Sequence, residues 1–220
     1  MTVTFREREF KGSRLRCLLL TSQTHERAAE FISSLVAGHA SVTPHDRWAP
    51  CGFIQPEEAK LGETPGFILN AEKREALTSW WLAIPGRANT PNWDIVSTCT
   101  VNNKPGLILV EAKAHEGEFA EDCCEASNPQ NMAQIGQALA EASNAWNQLT
   151  PGFSFNANAH YQLSNRFAFA WKLAAMGIPV VLVYLGFLNA EEMGVRGRVL
   201  LANHEHWRNR VVEGLSLIHI

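Results

Sequence analysis

Asp94, Glu111 and Lys113 are the residues of this 220-residue chain whose types and spacing could do chemistry. Glu111 and Lys113 follow an apolar run, Leu107–Val110, and sit two residues apart. Side chains alternate along a strand, so the two share one face and Ala112 takes the other. Charge is thus placed where the preceding residues read as core. Asp94 is one of only three Asp, beside Asp46 and Asp122. If Asn102-Asn103 is a two-residue turn, Asp94 lies opposite Glu111. If the loop is Asn102 to Pro105, it lies opposite Lys113. Either register puts Asp94 on the face of Glu111 and Lys113, because opposed residues share a face. Two carboxylates this close repel, so a proton, Lys113 or a hard cation must neutralise them. Oxygen ligands of this kind suit Mg²⁺ (or Mn²⁺), which keeps waters and takes further ligands from a phosphate substrate. A cation so held polarises a phosphoryl oxygen and makes a water more nucleophilic. Lys113 would orient that water or stabilise charge on the phosphate.

The elements that must hold these residues can be read from the pattern. Ile95–Val101 and Leu107–Ala114, joined by Asn-Asn-Lys-Pro-Gly, predict a β-hairpin. Before it, Asn70 caps a helix over 71–83 with Leu77, Trp80, Trp81 and Ile84 on its apolar stripe. After it, Asn128 and Pro129 open a helix to Leu149, and a further helix spans 160–176. Val180 to Phe187 is apolar at nearly every position, which predicts a strand covered on both faces. A last helix is expected over 204–213 and an early one over 25–37. Arg14–Leu20 reads as a short strand. The segment 41–66, rich in Pro and Gly, reads as a long surface stretch with at most a short helix near 56–61. The order predicts an α/β domain with a mixed central sheet flanked by helices. Residues 70–213 form the expected core, 1–69 an N-terminal elaboration packed on it, and 214–220 a non-native or disordered tail.

Pro91-Asn-Trp-Asp94, a spacer, and Glu111-Ala-Lys113 after Leu-Ile-Leu-Val resemble the motif of the PD-(D/E)XK nuclease superfamily. The order helix, hairpin, helix, strand over roughly 70–188 is similar to that family's common core. The resemblance implies a restriction-endonuclease-like fold and Mg²⁺-dependent hydrolysis of DNA phosphodiesters. It makes Asp94 and Glu111 metal ligands and Lys113 the catalytic lysine. Trp93 stands where the family has Pro. The strand that the family core places before the Asp94 strand has little room in 85–92. Some members add a Glu from the helix before the sheet, which points to Glu72 and Glu75. Related nucleases often place a Gln or a basic residue on a neighbouring helix, which points to Gln162 and Arg166. Many relatives act as dimers, so the resemblance admits a homodimer.

Other features carry less. His115 shares the parity of Glu111 and Lys113 if the strand continues to it, and could touch a phosphate. Glu58-Ala-Lys60 repeats the E-x-K spacing, but no strand precedes it and it reads as a decoy. His204 and His206, two apart, point to different sides of a helix, which argues against a shared zinc. Cys99 reads as a small core residue, and Trp80, Trp81 and Trp171 as core rather than base-stacking platforms. Arg6, Arg8, Lys11, Arg14 and Arg16 form one basic cluster, and Arg196, Arg198, Arg208 and Arg210 another. Either could line a DNA groove, although a net charge of −3 excludes a broadly polybasic binder. The longest apolar stretch, Ile178–Leu188, is too short to span a membrane. Five cysteines without a C-x-x-C pair suit a reduced cytoplasmic protein rather than a disulfide framework. Two rivals to the nuclease remain: an inactive nuclease-fold scaffold, and a phosphohydrolase for small molecules.

Overall fold

A computed structural model describes residues 11–119, 123–195 and 197–218. Among these, the helices are α1 (Gly12–Thr21), α2 (His25–Leu35), α3 (Ala71–Trp81), α4 (Pro129–Leu149), α5 (Tyr161–Ala175) and α6 (His204–Ile218). The strands are β1 (Trp48–Ala49), β2 (Ala59–Lys60), β3 (Asn92–Trp93), β4 (Ile95–Val101), β5 (Lys104–Lys113) and β6 (Val180–Gly186).

The hairpin β4–β5 turns on two residues, Asn102 at φ 47° and Asn103 at φ 61°. Asn tolerates this left-handed region better than most residues, and two such positions in a row match the twist of the flanking strands. The register runs from Ile95 opposite Val110 to Val101 opposite Lys104. The shorter of the two loops therefore forms, and Pro105-Gly106 belongs to β5. A four-stranded sheet results, ordered β1-β4-β5-β6. β1 and β4 run antiparallel to their neighbours, while β5 and β6 are parallel, with Leu107 opposite Val180 and Lys113 opposite Gly186. The fold is a mixed α/β one. β6 lies at the end of the sheet order and all seven of its residues are half-buried, so its apolar run marks an edge strand rather than an interior one.

Contacts divide the chain into two compact units. The first takes its described residues from Met1–Ala59, Trp93–Glu118 and Pro179–Arg208. One face of the sheet, with Ile95, Cys99, Ile108, Val110 and Ala112, packs on Cys17 of α1 and on Ala28, Ala29 and Ile32 of α2. The residues before 70 thus supply an edge strand and the helices over the sheet. Two expectations are corrected here. Arg14–Leu20 is helical, because its Leu and Arg are strong helix formers and a short apolar run has no decisive period. The 56–61 stretch holds β2 instead of a helix. The last helix, expected over 204–213, runs on to Ile218.

The second unit takes its described residues from Lys60–Asn92, Phe119–Ile178 and Asn209–Ile220. Asn70 and Asn128 cap α3 and α4 by accepting N–H bonds from Lys73 and from Gln130 and Asn131. Fully buried Asn131 then clamps the end of the α3 region. Its Oδ1 accepts from Ile84 N–H at 2.7 Å and its Nδ2 donates to Ile84 O at 3.1 Å. Trp80, Trp81 and Phe169 form an aromatic core, with ring centroids 4.8–5.6 Å apart. Among the described residues no helix is long and apolar enough to cross a membrane. All five cysteines are free thiols.

Candidate active site

The β4–β5 ladder ends at Ile95 and Val110, and the chain bends at Asp94. Beyond that point Ala112 has no β4 backbone partner, and Asp94 supplies one. Its Oδ2 accepts the Ala112 N–H at 2.7 Å, which turns the carboxyl toward β5. Lys113 Nζ donates to Glu111 Oε1 at 2.6 Å. This pair is enclosed, with Glu111 2 % and Lys113 5 % exposed. The alternation that carries Ile108, Val110 and Ala112 to the α1–α2 face carries Glu111 and Lys113 to the other.

Asp94 responds to this company. Burial, and then the Glu111 carboxylate, push its carboxyl up to about 8 from an ordinary value of 3.8. The Ala112 N–H and Lys113 oppose that rise, and Glu58 adds to it. Glu58 belongs to the E-x-K repeat that reads in the sequence as a decoy. Its partner Lys60 is no part of this cluster and pairs with Glu63 at 3.5 Å. Glu58 itself ion-pairs with Arg14, whose other terminal nitrogen donates to Pro56 O at 3.2 Å. Nothing local in the sequence marks Glu58 for this neighbourhood, since Arg14 lies 44 residues away. Cys17 of α1 is a second residue that the sequence does not flag. Burial raises its thiol well above the ordinary value, and the carboxylates of Asp94, Glu58, Glu111 and Glu118 raise it further.

His115 continues past β5 into a bridge with Leu200 and is 7 % exposed. Burial lowers its imidazole pKa, Glu118 opposes, and Arg198 and Lys113 lower it further. Its Nδ1 is buried with no hydrogen-bond partner among the described residues. Glu118 accepts the backbone N–H of Ala114 and of His115. Glu72 and Glu75 lie exposed on α3, in the second unit. Gln162 and Arg166 belong to α5 of that unit, where Arg166 is 5 % exposed. His206 pairs through Nε2 with Glu116 at 2.5 Å, while His204 is exposed. Cys99 sits in the core, and burial pushes its thiol up to about 11. Of the basic clusters, Arg14 binds Glu58, and Arg16 holds Glu192, one of its contacts measuring 2.8 Å. Arg198 and Arg208 are exposed. Arg6, Arg8 and Arg196 lie outside the described residues.

Among the described residues no group of three or more His, Cys, Asp or Glu is arranged to enclose a metal. The donor set at the hairpin is instead two carboxylates that disfavour each other's charge. This fits Mg²⁺, which is usually bound through one or two carboxylates with waters and substrate completing the shell. It does not fit a four-ligand zinc site or an all-protein calcium cage. No family model, curated protein or solved structure matches the chain.

Proposed function

We propose that the chain is a Mg²⁺- or Mn²⁺-dependent phosphodiesterase of the PD-(D/E)XK type, acting on DNA. One observation carries this reading: an enclosed Glu111–Lys113 pair at 2.6 Å, with Asp94 folded against the same strand at the open end of the hairpin. The antiparallel β1-β4-β5 sheet with β6 added parallel to β5 supports it. So does β1, residues 48–49 paired antiparallel with β4, which would take the place of the strand for which 85–92 has little room.

Asp94 and Glu111 would hold the cation, which when bound supplies Lewis-acid polarisation of a phosphoryl oxygen. Glu111 would keep Lys113 aimed by accepting its Nζ–H. Lys113 would donate a hydrogen bond to the attacking water or to a phosphoryl oxygen as negative charge develops on it. In a site this enclosed such a donor acts more strongly than it would in water. The Ala112 N–H fixes the rotamer of Asp94, so the two carboxyl groups are positioned before substrate arrives. Free thiols throughout the chain suit a reducing, cytoplasmic setting.

The test is cleavage of single- and double-stranded DNA with Mg²⁺ or Mn²⁺. The expected result is activity that is lost on chelation and falls at least about 100-fold in Lys113→Ala, Asp94→Asn and Glu111→Gln. Activity surviving all three substitutions removes this assignment. The enclosure of Glu111 and Lys113 favours one rival, a nuclease-fold scaffold without catalysis. Under that reading, calorimetry detects no Mg²⁺ or Mn²⁺ uptake that depends on Glu111.

A further inference from the structure

Asn203 opens α6 by accepting the His206 N–H on its Oδ1 at 2.8 Å, and its carbonyl takes the Trp207 N–H at 3.0 Å. His206 therefore stands in the first turn, where a capping box places a Glu or Gln that reaches back to the chain before the helix. His206 makes that reach with its ring. Nδ1 lies 3.2 Å from the Ala202 N, and Nε2 lies 2.5 Å from Glu116 Oε1.

These two contacts fix the protons of the ring. A backbone N–H can only donate, so Nδ1 must offer a lone pair. A carboxylate can only accept, so the proton sits on Nε2. The arrangement is that of a neutral imidazole with both nitrogens in use. A charged ring carries an N–H on each nitrogen. It can keep Glu116, its charge-assisted partner, but Nδ1–H then faces the Ala202 N–H with nothing to accept either.

The contact joins several pieces of the first unit. Glu116 opens the short 3₁₀ turn Glu116–Phe119 that follows β5. Its own N–H donates to Val199 O at 3.0 Å, and His115 beside it bridges Leu200. Leu201 O takes the Asn189 N–H at 2.8 Å. Backbone bonds thus hold the strip 199–201 on both sides, and the His206 ring ties its end to α6. Glu118, the other carboxylate of the 3₁₀ turn, is turned to the Ala114 and His115 N–H groups. Arg198 on the strip's approach and His204, Glu205 and Arg208 on α6 are exposed. Among the described residues none of these five bonds to the ring.

We propose that His206 is a proton-operated clasp. Neutral, it links Glu116 to the Ala202 N–H and closes the start of α6. Charged, it holds Glu116 and releases Ala202. Histidine is the side chain that ordinarily changes charge between about pH 5 and 8, so the clasp opens on mild acidification. The inference stands on these bonds alone and does not require the hairpin site to be catalytic.

The experiment is NMR of the isotope-labelled full chain, titrated from about pH 8 to about pH 5. The ring nitrogen shifts of His206 should report a proton on Nε2 at the upper pH. Ala202 is exposed, so its N–H exchanges with water once the ring lets go. Its protection, corrected for the intrinsic pH dependence of exchange, should fall roughly 2- to 10-fold as the ring charges, the worth of one hydrogen bond. His206→Gln can offer an amide oxygen to Ala202 and an amide N–H to Glu116 but cannot titrate, so its protection should stay flat. His206→Ala should leave Ala202 unprotected at every pH. A proton on Nδ1 at the upper pH, Ala202 protection that ignores the charge on the ring, or the same pH dependence in His206→Gln would overturn the clasp. None of those results bears on metal-dependent cleavage.

Discussion

Asp94 has a structural duty as well as a proposed chemical one, and the two can be separated. Its carboxyl bonds the Ala112 N–H while burial and Glu111 hold its pKa near 8. Between the unfolded value of 3.8 and about 8, the folded protein binds the extra proton. Unfolding free energy therefore falls as pH rises through that window. We expect the metal-free melting temperature to drop from about pH 5 to about pH 8, and Asp94→Asn to flatten the slope. Mg²⁺ should restore more stability at the upper pH than at the lower, since it needs the ionised form; scanning calorimetry reads both. The Glu111–Lys113 pair makes a second prediction. Removing one partner strands a buried charge, so Lys113→Ala should cost about 3–5 kcal/mol by urea denaturation. The double change Glu111→Leu with Lys113→Met should restore most of that and remain inactive. These three residues were legible in the sequence because one local hairpin positions them all. Glu58 was not, because what places it is an ion pair to Arg14, a distant residue of α1.

At the scale of elements, what could be read depended on whether the end signals were local. Asn70 and Asn128 announce α3 and α4, and each accepts N–H bonds at its helix start, as Thr24 does for α2. α1 has no such announcement. Lys11 provides no side-chain cap, and the Gly12 N–H is taken at 3.0 Å by Glu192. That carboxylate also grips Arg16, and chiefly for that reason its pKa is lowered to about 2. Its stabilising effect is present above the ordinary 4.5 and is lost as pH falls toward about 2. Glu192→Ala should cost about 1 kcal/mol, as helix caps do, measured in urea at neutral pH. The hairpin turn is testable in the same way. Asn103→Gly should be neutral or stabilising, whereas Asn103→Val should cost about 1–2 kcal/mol, since a β-branched residue resists φ 61°. At the other end of the sheet, a Cβ on Gly186 would sit 2.4 Å from the Trp207 ring, so Gly186→Ala must displace the indole. Loss of native Trp fluorescence with retained far-UV dichroism is the expected signature.

At the scale of the whole molecule, the sequence pattern divides the chain at residue 69, whereas the contacts cut it at Ala59–Lys60, Asn92–Trp93, Glu118–Phe119, Ile178–Pro179 and Arg208–Asn209. Periodicity reports which residues are apolar but not which distant stretch covers them. Ile32, Ile108 and Val110 share one core although some 75 positions separate the helix from the strand. A 70–213 fragment would therefore expose the α1–α2 face of the sheet. We expect it to lack a cooperative melting transition, whereas the full chain shows one. Ile108→Ala in the full chain should cost about 2–5 kcal/mol.

Strand β5 needs a neighbour on each side, and the two arrive at different times. The ribosome releases β4 and β5 together, but β6 only after residues 114–179 have been added. At roughly 5–20 residues per second, the newborn hairpin waits several seconds with one apolar border open. That interval is the one in which nascent chains on a crowded polysome would zip to each other, and in which a holdase has its strongest claim on this protein.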